Sequence, residues 1–166
     1  MTAHDERDLT HQGSITIARP ADEVYALVSD VTRTGEWSPV CRACWWDPVE
    51  DPGDDPADGP RVGAWFSGRN EVPGRIWTTR SQVVAAEPGR SFAFVVGGSL
   101  VRWSFDLEEV DGGTRLTESW HFLPAGLELF DERYGDDAPT QVADRIRLAH
   151  EGIPATLAAI KRIAEG

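Results

Sequence analysis

The sequence predicts an α+β fold: a curved antiparallel sheet gripping one long C-terminal helix, with two short helices after the first strand. Three observations predict it. Between residues 61 and 123 nearly every segment reads as strand, and the separators are short turns such as Pro73-Gly74, Glu87-Pro88-Gly89, Gly97-Gly98 and Asp111-Gly112-Gly113. Strands joined so closely run antiparallel, because parallel neighbours need a crossover helix. From Thr140 onward the apolar period changes to steps of three and four. A sheet with one apolar face and a helix with one apolar stripe must bury those surfaces against each other.

The elements follow in order. Residues 1–12 are polar and charged and read as a disordered tail, which leaves a single domain over residues 13–166. Residues 13–18 (GSITIA) alternate apolar and small polar side chains, as a short strand does. Arg19-Pro20 then opens a helix, because proline suits the first helical position and Asp22 and Glu23 favour the positive end of the helix dipole. Val24, Leu27 and Val28 supply its buried stripe. Asp30 caps a second short helix over 31–36, which Trp37-Ser38-Pro39 stops.

Extended character resumes over 41–46. The stretch 47–60 holds six acidic residues, four prolines, two glycines and no base, so it reads as an acidic loop too polar to order itself. Strands are then expected at 62–70, 75–86, 91–96, 100–109 and 114–123. Residues 126–140 read either as a short helix or as a long loop. In the last segment Ile146, Ala149, Ile153, Leu157, Ile160 and Ala164 fall on one helical stripe. Pro154 removes one backbone bond there and should kink the helix near His150.

Charge and composition restrict the partners. A chain of 166 residues buries about two-thirds of its unfolded surface and can hold a sizeable core. Sixteen bases against 28 acids give a net charge of −12, which repels phosphate backbones and anionic headgroups. Nucleic acid is therefore not the expected partner. The longest apolar run, Phe92 through Val96, is five residues and cannot span a bilayer, so no membrane insertion is expected. The first dozen residues contain no signal-peptide core, and two cysteines build no disulfide framework. A cytoplasmic protein is the expectation, and a homodimer is compatible with it. Seven tryptophans are the one unusual figure, since each indole carries an N–H that wants a partner.

Alternation assigns three of those indoles, Trp77, Trp103 and Trp120, to the inner face of the sheet. Trp103, Phe105 and Leu107 share a face; so do Leu116, Glu118, Trp120 and Phe122, and likewise Trp77, Thr79, Ser81 and Val83. Phe66, Gly68 and Asn70 make the inner set of the third strand, with Trp65 on the opposite parity. A plain core favours branched aliphatics and excludes a carboxylate, whereas a ligand cavity is mostly aromatic with a few convergent polar groups. The mixture of indoles with Glu118, Asn70, Thr79 and Ser81 favours the cavity.

The order of a strand, a proline-initiated helix (RPADEVYALVSD), a short helix ending in Trp-Ser-Pro, a meander and a long terminal helix resembles the START-like (SRPBCC) superfamily. Its polyketide cyclase/dehydrase and lipid transport branch is the most similar. The resemblance rests on VGAWFSGRN at 62–70, Trp77, the Glu87-Pro88-Gly89-Arg90 turn, Phe92-Ala93-Phe94, the run Val101-Arg102-Trp103-Ser104-Phe105 leading into Gly113-Thr114-Arg115-Leu116-Thr117-Glu118, and Thr156-Leu157 with Lys161 and Glu165. It covers residues 13–165 and implies a helix-grip fold with a deep apolar cavity between sheet and helix. It carries over no universal catalytic set, and no metal or organic cofactor is indicated.

Three functions compete. The first is binding or transport of a hydrophobic small molecule, lipid-like or polyketide-like, held by Phe66, Asn70, Trp77, Thr79, Trp103, Phe105, Trp120, Ile153 and Leu157. The second is a polyketide cyclase or dehydratase in the same cavity, with Glu118 and His150 as acid–base pair; placing Ile153 and Leu157 at the centre of the inward stripe puts His150 roughly 40–60° off it. The third is a protein-interaction or regulatory module acting through the acidic loops. Arg69 and Asn70 stand where a ligand's polar head would sit, and Tyr25 and Tyr134 can each hydrogen-bond a ligand. Cys41-x-x-Cys44 reads as two ordinary thiols, since a structural zinc site needs four ligands and there is no second pair of cysteines or nearby histidines, and strand residues three apart point to opposite faces.

Overall fold

The computed structural model describes residues 8–48 and 60–166. Seven strands form one antiparallel sheet in the order β1-β7-β6-β5-β4-β3-β2. They are β1 (Thr10–Ile17), β2 (Cys41–Trp46), β3 (Trp65–Val72), β4 (Arg75–Glu87), β5 (Ser91–Val96), β6 (Val101–Val110) and β7 (Gly113–Phe122). Neighbours from β3 to β7 are joined by short turns; β2 pairs with β3 across the longer connection that holds the acidic stretch, and β1 closes the far edge on β7. Helix α1 (Ala21–Val28) and a 3-10 helix (Val31–Glu36) follow β1; α2 (Pro124–Tyr134) and α3 (Ala138–Glu165) follow β7.

β1 begins at Thr10, so three residues assigned to the tail belong to the sheet, where Thr10 pairs with His121 and Gln12 with Ser119. The rest of the acidic loop beyond Asp47 and Pro48, up to residue 59, lies outside the described residues, as do residues 1–7. Asp47 itself is tied down, accepting from Arg80 at 2.6 Å and from the Ser67 hydroxyl at 2.7 Å.

Local chemistry explains the connections. Pro20 precedes α1 in extended conformation, with Asp22 and Glu23 in the first turn. The Asp30 carboxylate accepts from the Thr32 amide at 3.2 Å and starts the 3-10 helix. The ambiguous stretch after β7 is helical: Pro124 occupies the first turn of α2, and a 3-10 turn at Gly135–Asp137 leads into α3. Phe130 of α2 fixes that helix on the sheet through an edge contact with Phe122, centroids 5.1 Å apart. Helix α3 continues unbroken past Pro154 to Glu165.

At Gly113 the backbone has φ +150° and a Cβ would collide with the Ile17 carbonyl of β1. Gly113→Ala is expected to cost at least about 2 kcal/mol, because both strain and collision must be relieved at the β1–β7 junction. A urea melt in which the variant matched the parent would contradict this placement.

The inward alternation read from the sequence holds in every strand that faces α3. Phe66, Val83, Phe105, Leu116, Trp120 and Phe122 are all buried. A bulge between Val83 and Ala85 interrupts β4 and changes the parity of the remainder of that strand. Trp65, on the opposite face, is covered by the Arg80 guanidinium at 4.3 Å from its ring.

Helix α3 docks differently from the simple stripe. Ile153 and Leu157 are 1% and 3% exposed and press on Gly13 of β1, where a Cβ would stand 3.0 Å from Ile153 Cγ2 and 3.4 Å from Leu157 Cδ1. The missing side chain at Gly13 lets the helix approach β1 most closely. The adjoining face of α3, turned toward the middle of the sheet, carries Ala149, Gly152 and Thr156. Those side chains are too small to fill the space over β3–β6.

Candidate functional site

That unfilled space is a partly open cavity of about 520 Å³ between the sheet and α3. The sheet contributes aromatic walls: Phe66 from β3, Trp77 from β4, Phe92 and Phe94 from β5, Trp103 and Phe105 from β6, and Trp120 and Phe122 from β7. Seven of the residues proposed as ligand contacts from sequence line it: Phe66, Asn70, Trp77, Thr79, Trp103, Phe105 and Trp120. Ile153 and Leu157 do not. They belong to the packed seam with β1, because the closest approach at Gly13 sets the rotation of the helix.

Polar groups are sparse among these rings. The Asn70 amide donates to the Thr79 hydroxyl at 3.2 Å across the β3–β4 ladder. Arg69 has the opposite parity and is exposed, so it is not at the cavity. Tyr134 lines the cavity, whereas Tyr25, a residue of α1, is buried in the core.

Glu118 sits between Gly13 of β1 and Phe105 of β6 in the ladder. Its side chain is buried among the aromatics, and Oε2 has no hydrogen-bond partner among the described residues. Burial pushes its carboxyl from the ordinary 4.5 up to about 8. At neutral pH the group is a carboxylic acid, able to donate one hydrogen bond and accept another inside an apolar cavity.

His150 is not its partner. The ring is exposed and stacks on His11, centroids 3.9 Å apart and 19° from parallel. One residue after Ala149, it is turned about 100° around α3 from the cavity-lining face, toward the start of β1. The expected acid–base pair is therefore not assembled, and Glu118 enters the cavity alone. Burial, and then the neighbouring His150, lower the pKa of His11.

Opposite chemistry gathers at another part of the wall. Arg75 from the start of β4, Arg133 from α2 and Arg145 from α3 all line the cavity. Asp144 answers two of them, at 3.0 Å from Arg75 and 3.0 Å from Arg145, and also takes Arg147 at 2.8 Å. Burial opposes the Asp144 charge, but hydrogen bonds from Arg147 and Arg75 hold its carboxyl below the usual range. The Arg75 and Arg145 guanidinium groups lie over Trp77 at 4.4 and 5.4 Å. Arg75 Nε is buried with no partner among the described residues. Burial, and next the Arg75 charge, work against the Arg145 cation. With Asp144 shared by Arg75 and Arg145, and Arg133 beside them in the lining, this part of the wall carries excess positive charge in a chain of net charge −12.

The sequence held a signal for this wall. Arg145, Leu148, Ala149, Gly152 and Thr156 follow helical spacing, so a base stands on the same face as three small residues. Periodicity counted on large apolar residues alone passes over it.

A curved sheet closed over a long helix, with an aromatic hollow between them, defines a protein of the helix-grip fold. The chain belongs to the family described as polyketide cyclase/dehydrase and lipid transport, whose model matches residues 9–156. It is similar to the polyketide-cyclase-like protein of Corynebacterium glutamicum solved by NMR in solution, at 50% identity and TM-score 0.68, covering 95% of this chain and 91% of that one. The Zhui aromatase/cyclase of Streptomyces sp. R1128 shares the fold at 19% identity and TM-score 0.67, covering 94% of this chain and 93% of that one. A START superfamily protein of Mycobacterium smegmatis does so at 15% identity and TM-score 0.65, covering 94% and 97%. None of the curated proteins matches the sequence. Among the described residues no helix is long and apolar enough to cross a membrane.

Proposed function

We propose that the protein binds a hydrophobic small molecule, lipid-like or polyketide-like, whose body lies among the aromatic rings and whose anionic or oxygen-rich end meets the arginine wall. The observation that carries this reading is the cavity of about 520 Å³ that α3 leaves open over the sheet. Its size falls within the roughly 300–1,000 Å³ usual for small-molecule sites. Burying about 300 Å² of apolar ligand surface contributes roughly 7 kcal/mol before the costs of association. Native mass spectrometry of protein purified from its own host tests the reading. A co-purifying small molecule that leaves on denaturation is the expected result; protein that stays empty and also takes up no fluorescent fatty acid would overturn it.

The arginine wall makes the ligand class testable. Arg145→Gln is expected to weaken binding of a fluorescent fatty acid about tenfold, the equivalent of losing one charge-assisted hydrogen bond. Binding of the matching fatty alcohol should hardly change. Equal losses for acid and alcohol would assign Arg145 to packing instead of charge recognition.

One observation favours a second reading, a cyclase or dehydratase. A carboxyl pushed up to about 8 and facing an apolar hollow is a general acid at neutral pH. On that reading Glu118→Gln keeps ligand binding and loses turnover; for a carrier, binding stays intact and there is no turnover to lose. The interaction-module reading rests on the acidic stretch, most of which lies outside the described residues. Deleting residues 53–59 tests it through loss of a salt-sensitive association with ligand uptake unchanged.

A further inference from the structure

A plain β-strand would send Cys41 and Cys44 to opposite faces. The β2–β3 ladder departs from that rule between them. Cys41 pairs with Asn70 and Ala43 pairs with Arg69, so two steps along β2 match a single step along β3 and Arg42 is left over. This bulge changes the parity of the strand, and both sulfurs end on the cavity side, 3.2 Å apart. The partner of Cys44 across the ladder is Gly68. A Cβ there would stand 3.1 Å from the Cys44 sulfur and 3.5 Å from the Cys41 sulfur. The glycine therefore leaves the two sulfurs room to move.

We propose that Cys41 and Cys44 are a redox-modifiable dithiol in the cavity wall, closed to an intramolecular disulfide by peroxide. The sulfurs must approach from 3.2 Å to about 2.05 Å, a side-chain movement of about 1 Å. The roles follow from the surroundings. Cys44 is the half-buried sulfur and Cys41 the buried one. A hydrogen bond from Cys41, opposed by burial and helped by Thr34, lowers the Cys44 thiol pKa. The same contact, together with burial, raises that of Cys41. The Cys44 thiolate attacks one peroxide oxygen, the O–O bond breaks, and a sulfenic acid and hydroxide form. The Cys41 sulfur then attacks the sulfenyl sulfur as its thiol proton leaves, expelling the sulfenyl oxygen as water. In sum two thiols and one hydrogen peroxide give one disulfide and two waters. Among the described residues no group of three His, Cys, Asp or Glu side chains could hold a metal ion.

Hydrogen peroxide titration of the reduced full chain, followed by intact mass spectrometry and thiol counting, tests the proposal. Expected is a monomer lighter by two hydrogens, with both thiols lost together and both restored by dithiothreitol. Cys41→Ser should instead accumulate a dimedone-reactive sulfenic acid at Cys44. Cys44→Ser should oxidise at least about tenfold more slowly than the parent, because its remaining thiol is buried and disfavours the thiolate. Disulfide-linked dimers, oxygen added without loss of two hydrogens, or equal oxidation rates for the parent and Cys44→Ser would each overturn it. Circular dichroism of the serine variants separates a folding defect from a redox one, and a folded variant that fails these expectations counts against the dithiol.

Discussion

Glu118→Gln is expected to stabilise the protein by several kcal/mol at about pH 9 and to change its stability little at about pH 4. The carboxyl is buried, and burial carries it from 4.5 to about 8. The folded state therefore holds this proton more tightly than the unfolded chain does. As pH rises through 4.5 the unfolded chain releases its proton first, so stability falls up to about 8 and levels off above it. Below 4.5 both states are protonated and the penalty vanishes. At about 1.4 kcal/mol per decade of pH the full penalty reaches roughly 5 kcal/mol, an upper value because the site can relax or admit water when the charge forms. Glutamine is neutral throughout and nearly the same shape. Denaturant melts of both proteins across this range should converge at the acid end and separate steadily toward the alkaline end. Parallel curves would mean that Glu118 is solvated in the folded protein and the cavity is wetter than its lining suggests.

The second large effect contrasts two neighbouring faces of α3. Ile153→Ala should cost about 3–4 kcal/mol of stability, because the seam against Gly13 loses packed methyls where the backbone cannot follow. Ligand affinity should stay within about threefold, since Ile153 does not line the cavity. Thr156→Phe should do the reverse. Three residues further along, the ring enters the hollow, costs about 1–2 kcal/mol at most and lowers affinity for a fluorescent fatty acid about a hundredfold. If Thr156→Phe folds and binds as the parent does, the hollow is not where ligand sits.

Much of this was legible because strands alternate with period two. Parity alone placed Glu118 beside Trp120 on the inner face and put Asn70 and Thr79 on neighbouring strands. It failed where a bulge intervened: the sulfurs of Cys41 and Cys44 meet only because Arg42 drops out of the ladder. Helical periodicity was a coarser guide. Six apolar residues at steps of three and four found α3, but two adjoining faces fit such a stripe, and the choice between them decided both His150 and the lining of the cavity. The arginine wall is hidden from local patterns because Arg75 of β4 lies far along the chain from Arg133 of α2 and Arg145 of α3.

The amino-acid sequence by itself determined the class of fold, the antiparallel meander of β3 to β7 and the aromatic character of its inner face. All of these follow from local alternation, turn residues and the burial of apolar surface. Only the tertiary structure decided that a hollow remains. The close approach of α3 to β1 at Gly13 fixes the rotation of the helix, and that rotation turns Ala149, Gly152 and Thr156 toward the rings. A void depends on the rigid placement of two elements relative to each other, and no periodicity within either one encodes that distance.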